Sequence, residues 1–111
     1  MSNIIIVLFN LKEKRNVSDY EAWAKSTDLP IVRDLASVDS FDVLKSIDLL
    51  GSTDKPPYEY VEIIKIKDFE LFGKEVSTEI MQSVANQFQA FADNPIFINT
   101  MNIESPDQSV S

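Results

Sequence analysis

A carboxylate interrupts an apolar alternation at residues 58–66, YEYVEIIKI, where Glu62 stands in phase with Tyr60, Ile64 and Ile66. A carboxyl group set among apolar neighbours loses solvation, its pKa rises, and it becomes usable as an acid or base near neutral pH. Glu62 is therefore the first candidate for a catalytic base. An ion pair across the sheet, to Lys45 or Arg33, is the plainer use of the same residue. Lys45 shares a strand face with Phe41 and Val43 in SVDSFDVLKS. A desolvated amine there could act as base or Schiff-base nucleophile, or it could snorkel its ammonium to water.

The stretch at residues 20–46, YEAWAKSTDLPIVRDLASVDSFDVLKS, holds the remaining candidates for ligand binding. Tyr20 and Trp23 fall on one helical face and could wall an aromatic pocket, although aromatics at this spacing also serve as ordinary core. Phe41 extends the same apolar lining. Asp28 could face a ligand or cap a helical segment beginning near Pro30. Arg33, one of two arginines, could grip a carboxylate or stack on a ring, or pair with Asp34, Asp39 or another surface acid. Asn10, at the end of the first apolar run, is a neutral hydrogen-bonding candidate or a strand-end cap.

The chain has no cysteine and no histidine. Disulfides, thiolate nucleophiles, a histidine-based triad and metal or haem sites built on imidazole or cysteine sulfur are thereby excluded. Proton transfer is left to carboxylate, lysine, tyrosine or bound water. No metal site and no cofactor are expected. The net charge of −8 argues against nucleic acid and against anionic membrane surfaces. The apolar run at residues 4–9 is far short of the roughly 18 residues a membrane span needs. With no basic region ahead of that run, a cytoplasmic location is expected.

These residues must be positioned by a small set of elements. Residues 4–11 are apolar at both alternating sets of positions, as in a central strand covered on two sides. Ser18 is a plausible N-cap for a helix from about residue 19, with a break near Thr27 and a second helical piece to about residue 35. Strands are expected at residues 38–47, 58–66 and 96–103, the first two joined by the turn-forming GSTDKPP. Phe69, Phe72, Val76, Ile80, Val84, Phe88 and Phe91 recur as one long core-facing helical stripe, stopped by Asn94 and Pro95.

The order is βαββαβ, an α+β, ferredoxin-like unit with a four-stranded antiparallel sheet and its helices on one face. One domain is expected over residues 1–104, with a flexible C-terminal tail at 105–111. The helix-free sheet face remains apolar and would be covered by a homodimer. Single-stranded RNA-binding modules share this order, but they need a basic sheet, whereas this one carries Glu59 and Glu62.

The segments IIVLFNLK, YEAWAKSTDLPIVRDL, SVDSFDVLKS, YEYVEIIKI and FADNPIF together resemble the RedY-like family of HapK- and PigK-type proteins, from residue 3 to about 104. The resemblance implies a dimeric α/β barrel and an accessory role in biosynthesis of prodiginine-type, pyrrole- or indole-derived secondary metabolites. In that role the chain would bind an aromatic intermediate and could catalyse cofactor-independent cyclase-, dehydratase- or monooxygenase-like chemistry. A non-catalytic carrier or chaperone-like partner of a pathway enzyme is the alternative. The wider barrel group also contains haem enzymes, a branch that the absence of histidine puts in doubt.

Overall fold

The computed structural model describes residues 3–13 and 16–103. Strand β1 (Asn3–Leu11) leads into helix α1 (Val17–Trp23), a π-helical turn (Ala24–Asp28) and helix α2 (Leu29–Arg33). Strands β2 (Val38–Lys45) and β3 (Tyr60–Ile66) follow, then helices α3 (Phe69–Glu75) and α4 (Glu79–Phe91), and finally strand β4 (Ala92–Thr100). The four strands form one sheet in the order β2-β3-β1-β4, every neighbouring pair antiparallel. This is the expected ferredoxin-like arrangement. The expected tail at 105–111 lies outside the described residues.

Alternation along each strand divides the sheet into two faces. Val7, Phe9, Tyr60, Ile66 and Phe41 are buried beneath the helices. On the opposite face the register places Ile6 beside Ile63 and Ile98, and Leu8 beside Val61 and Ile96. Leu44, opposite Val61, continues this surface. Ile96 and Ile98 are each 42% exposed and Leu44 is 47% exposed, so a broad apolar sheet surface faces outward.

The first helical region departs from expectation in a way that matters for the site. It begins at Val17 rather than 19; Asn16 occupies the N-cap position and no side chain supplies a cap hydrogen bond, so Ser18 is not the cap. No break occurs near Thr27. Instead the turn widens, with the Leu29 N–H donating to the Ala24 carbonyl five residues back. Pro30 follows in the first turn of α2, where it has no N–H to donate. In a regular α-helix each four-residue step drifts by roughly 40°. The wider turn takes up part of that drift, and Tyr20, Ala24, Asp28 and Val32 all stay buried. Asp28 is therefore not a helix cap: it has helical dihedrals and makes no side-chain cap hydrogen bond.

The expected single stripe after β3 is two helices. Asp68 caps α3 by accepting from the Leu71 N–H at 3.0 Å, and Thr78 caps α4 by accepting from the Met81 N–H at 3.4 Å. A threonine that serves the next helix cannot also continue the previous one, and the phase shifts at the junction. Phe69 and Ile80, both assigned to the core-facing stripe, are consequently 45% and 58% exposed.

Helix α4 passes directly into β4 at Ala92, ahead of the expected stop at Asn94 and Pro95. These two residues lie inside the strand, at a register shift where Leu8 pairs with Ile96 but Asn10 pairs with Asp93. Asn94 takes a φ of 46°, and Pro95 is tolerated because β4 is an edge strand. Strand β4 ends at Thr100 rather than 103. Strand β2 ends at Lys45 and β3 starts at Tyr60, which lengthens the connection at 46–59. Asn10 pins that connection by donating to the Pro57 carbonyl at 3.1 Å and accepting from the Glu59 N–H at 2.9 Å.

Candidate functional site

Strand β3 presents Glu62 to the helix-covered face, between Val7 on β1 and Val43 on β2. Its side chain sits mid-sheet, 5% exposed, and its Oε2 is buried with no hydrogen-bond partner among the described residues. From above, the π-helical turn delivers Asp28, also 5% exposed. Both carboxyls line one cavity of about 130 Å³ between the sheet and the helices. Four phenylalanines complete much of its wall: Phe41 from β2, Phe72 from α3, Phe88 from α4 and Phe97 from β4.

The electrostatics follow from this burial. Desolvation raises the Asp28 pKa to about 7. Glu62 rises to about 8, first by desolvation and then by the negative charge of Asp28. The pair accordingly retains a proton at neutral pH, so it can donate as well as accept. Tyr20, fully buried, has a hydroxyl with no hydrogen-bond partner among the described residues. Burial, then the charges of Glu62 and Asp28, hold its phenol protonated well above the usual tyrosine range.

Aromatic packing fixes Tyr20. Its ring lies 4.8 Å from Tyr60, 5.5 Å from Phe9, 5.6 Å from Phe91 and 6.0 Å from Trp23, centroid to centroid. Trp23 stands behind Tyr20, donating its indole N–H to Gln87 at 2.6 Å, and does not line the Glu62 cavity.

Another cavity of about 130 Å³ is lined by Tyr20, Tyr60, Glu21, Lys45 and Val43 among others. The Tyr60 hydroxyl donates to Glu21 Oε2 at 2.6 Å, and Lys45 Nζ meets the same oxygen at 2.8 Å. Lys45, then Tyr60, hold Glu21 below the usual carboxylate range. Two expected partners of Glu62 are thus engaged elsewhere. Lys45 is paired with Glu21, its side chain 58% exposed, and Arg33 binds the Phe41 carbonyl at 2.8 Å and Asp42 at 3.3 Å. Neither forms the ion pair across the sheet, because each side chain finds an acceptor nearer water without burying its charge.

Of the residues singled out from the sequence, Glu62, Asp28 and Phe41 meet in one cavity, with Tyr20 buried beside the two carboxyls. Asn10, Trp23, Arg33 and Lys45 lie outside it. Phe72, Met81, Phe88, Gln89 and Phe97 line it and were not assigned to a site. Phe72 and Phe88 were legible only as core, and a cavity between sheet and helices has the same apolar periodicity as core. Among the described residues no cluster of three or more carboxylates is placed to hold a metal ion, and no helix is long and apolar enough to cross a membrane.

A family model described as REDY-like protein HapK matches residues 3–103. Among solved structures, HapK from Hahella chejuensis superposes with a TM-score of 0.71 at 25% identity, covering 93% of this chain and 96% of that one. SnoaB, a cofactor-independent oxygenase from Streptomyces nogalater, gives a TM-score of 0.73 at 11% identity over 95% and 96% of the two chains. A dimeric ferredoxin-like protein of unknown function from Jannaschia gives 0.72 at 11% identity over 92% and 100%. The last two likenesses concern the fold alone. No curated protein sequence matches the chain.

Proposed function

The chain belongs to the REDY-like HapK family, and from that premise we propose that it is a small accessory protein of prodiginine-type secondary metabolism, holding a pyrrole- or indole-like intermediate between sheet and helices. One observation carries this reading: the buried, unpartnered Glu62 Oε2 in a cavity walled by phenylalanine rings. A ring N–H donated to that oxygen satisfies an acceptor whose isolation costs about 1–3 kcal/mol, while the rings supply apolar contact. A cavity of about 130 Å³ is close to the ~150 Å³ that admits a benzene ring. One ring of a linked substrate fits within it, and the rest extends outward.

The same carboxyls give the site its chemistry. Glu62, carrying a proton near neutrality, protonates a ring carbon or nitrogen, and Glu62 or Asp28 as carboxylate takes a proton back. Positioning and proton transfer suffice for a cyclisation or dehydration without a cofactor. Tyr20 serves as a neutral neighbour that holds no negative charge of its own. The exposed sheet face, with Ile6, Ile63 and Ile98 at its centre, is covered by a second copy of the chain.

Thermal denaturation with and without a bicyclic pyrrole aldehyde tests the contact. The ligand is expected to stabilise the wild type and to lose most of that effect in Glu62→Gln; equal stabilisation of both contradicts it. A carrier without turnover is the second reading, favoured by the depth of the site, since Tyr20, Phe41 and Glu62 are each no more than 5% exposed. Incubation with pyrrole aldehydes and indole precursors, followed by mass spectrometry, separates the two: a new product indicates an enzyme, and intact ligand a carrier.

A further inference from the structure

We propose that the Glu62 cavity takes its ligand as a flat cation, a protonated nitrogen heterocycle or an amidinium- or iminium-like group conjugated to a ring. This rests on the aromatic-ligand reading above and adds the charge state to it. Two carboxyls, from Asp28 and Glu62, enter a cavity whose lining contains no lysine and no arginine. Gln89 is the one other hydrogen-bonding side chain in that lining. The two basic side chains close enough in sequence pattern to have served as counterions, Lys45 and Arg33, are bound to Glu21 and to Asp42. The wall therefore supplies no positive charge to balance the pair, which is neutralised either by a bound proton or by a cation that arrives with the ligand.

Three further properties of the wall select the same class. Glu62 Oε2 lacks a donor, and a cationic N–H makes a shorter and stronger bond to it than a neutral one. Phe41, Phe72, Phe88 and Phe97 supply aromatic rings to the wall, a side-chain type that attracts a cation placed over its face. An anion of the same shape would meet two carboxyl groups with no compensating charge. Beyond the cavity, the net charge of −8 draws cations toward the molecule.

The proton balance is closed within the site. A neutral basic ligand enters, the O–H bond of protonated Glu62 breaks, an N–H bond forms on the ligand, and a carboxylate–cation pair remains. A ligand that is already cationic instead displaces that proton to solvent. The titratable groups facing Glu62 are Asp28 from the π-helical turn and the Tyr20 phenol from α1. The lining residues from β2, α3, α4 and β4 bring none. Binding of a permanent cation is thus expected to strengthen as pH rises through the range in which Asp28 and Glu62 ionise.

Benzamidine, benzamide and benzoate have nearly the same shape and differ in charge, which makes them the probes, with indole as a neutral ring control. Isothermal titration calorimetry is expected to show benzamidine binding at least about tenfold more tightly than benzamide, the size of one charge-assisted hydrogen bond, with no binding of benzoate. At pH 7 benzamidine binding is expected to release protons, read from its dependence on buffer ionisation enthalpy. Glu62→Gln and Asp28→Asn, each checked by its own melting curve, are expected to lose most of the preference for benzamidine over benzamide. Benzamide or benzoate binding as tightly as benzamidine, with indole still bound, overturns the cation assignment and leaves the aromatic site standing. Failure of all four probes to bind overturns both.

Discussion

At the scale of residues, the central fact is a pair of acids kept from water by the fold itself. Glu62 was legible from its phase with Tyr60 and Ile66, since a strand of alternating burial leaves position 62 no other face. Its partner was legible only as one of two readings, a ligand-facing carboxylate or a cap. Asp28 precedes a proline by two positions and looks like a cap, and nothing in the local residue types announces the wide turn that buries it. The raised pKa values of both groups mean that the native state binds more protons than the unfolded chain between about pH 4 and pH 8. Stability therefore falls as pH rises through this interval, each fully titrating group contributing at most about 1.4 kcal/mol per pH unit. Melting temperatures measured from pH 5.5 to pH 8.5 are expected to decline in the wild type and to decline less steeply in Glu62→Gln. A variant slope as steep as that of the wild type would place the Glu62 carboxyl in water.

Elements decide which of those residues meet. The helical region gathers Tyr20, Asp28 and Val32 above the sheet because a π-helical turn offsets the drift of a regular helix ahead of Pro30. Capping chemistry divides the later helices at Thr78, and this junction was legible in principle: a threonine followed by Glu79 carries a cap signal that the apolar repeat around it obscured. The central place of β1 was read correctly because residues 4–9 are apolar on both alternating sets of positions. Two substitutions separate the caps that form from the one that does not. Thr78→Ala is expected to cost about 1 kcal/mol. Ser18→Ala, at an exposed position that caps nothing, is expected to stay within about 0.5 kcal/mol. Urea denaturation of both variants measures the difference, and a larger loss in Ser18→Ala would contradict the helix start at Val17.

At the scale of the whole molecule, the sheet has one face committed to the helices and another left apolar. The two-sided character of β1 already pointed to this in the sequence; the contribution of β4 did not, because its register depends on the irregularity around Asn94 and Pro95. If a second copy covers this face, a charge at its centre prevents assembly. Ile98→Lys is expected to convert a dimer to a monomer in light scattering after size exclusion, while a wild-type monomer would contradict the pairing. Burial of that face closes the sheet side of the domain and leaves ligand access to the helical side, above Asp28 and Glu62. The account's central claim, an aromatic nitrogen compound held at those carboxyls, is tested most directly by native mass spectrometry of wild-type and Glu62→Gln protein purified from the producing cells. The expected result is a wild-type dimer that releases a small nitrogen heterocycle and a variant dimer that arrives empty. A heterocycle retained equally by both, or by neither, would contradict it.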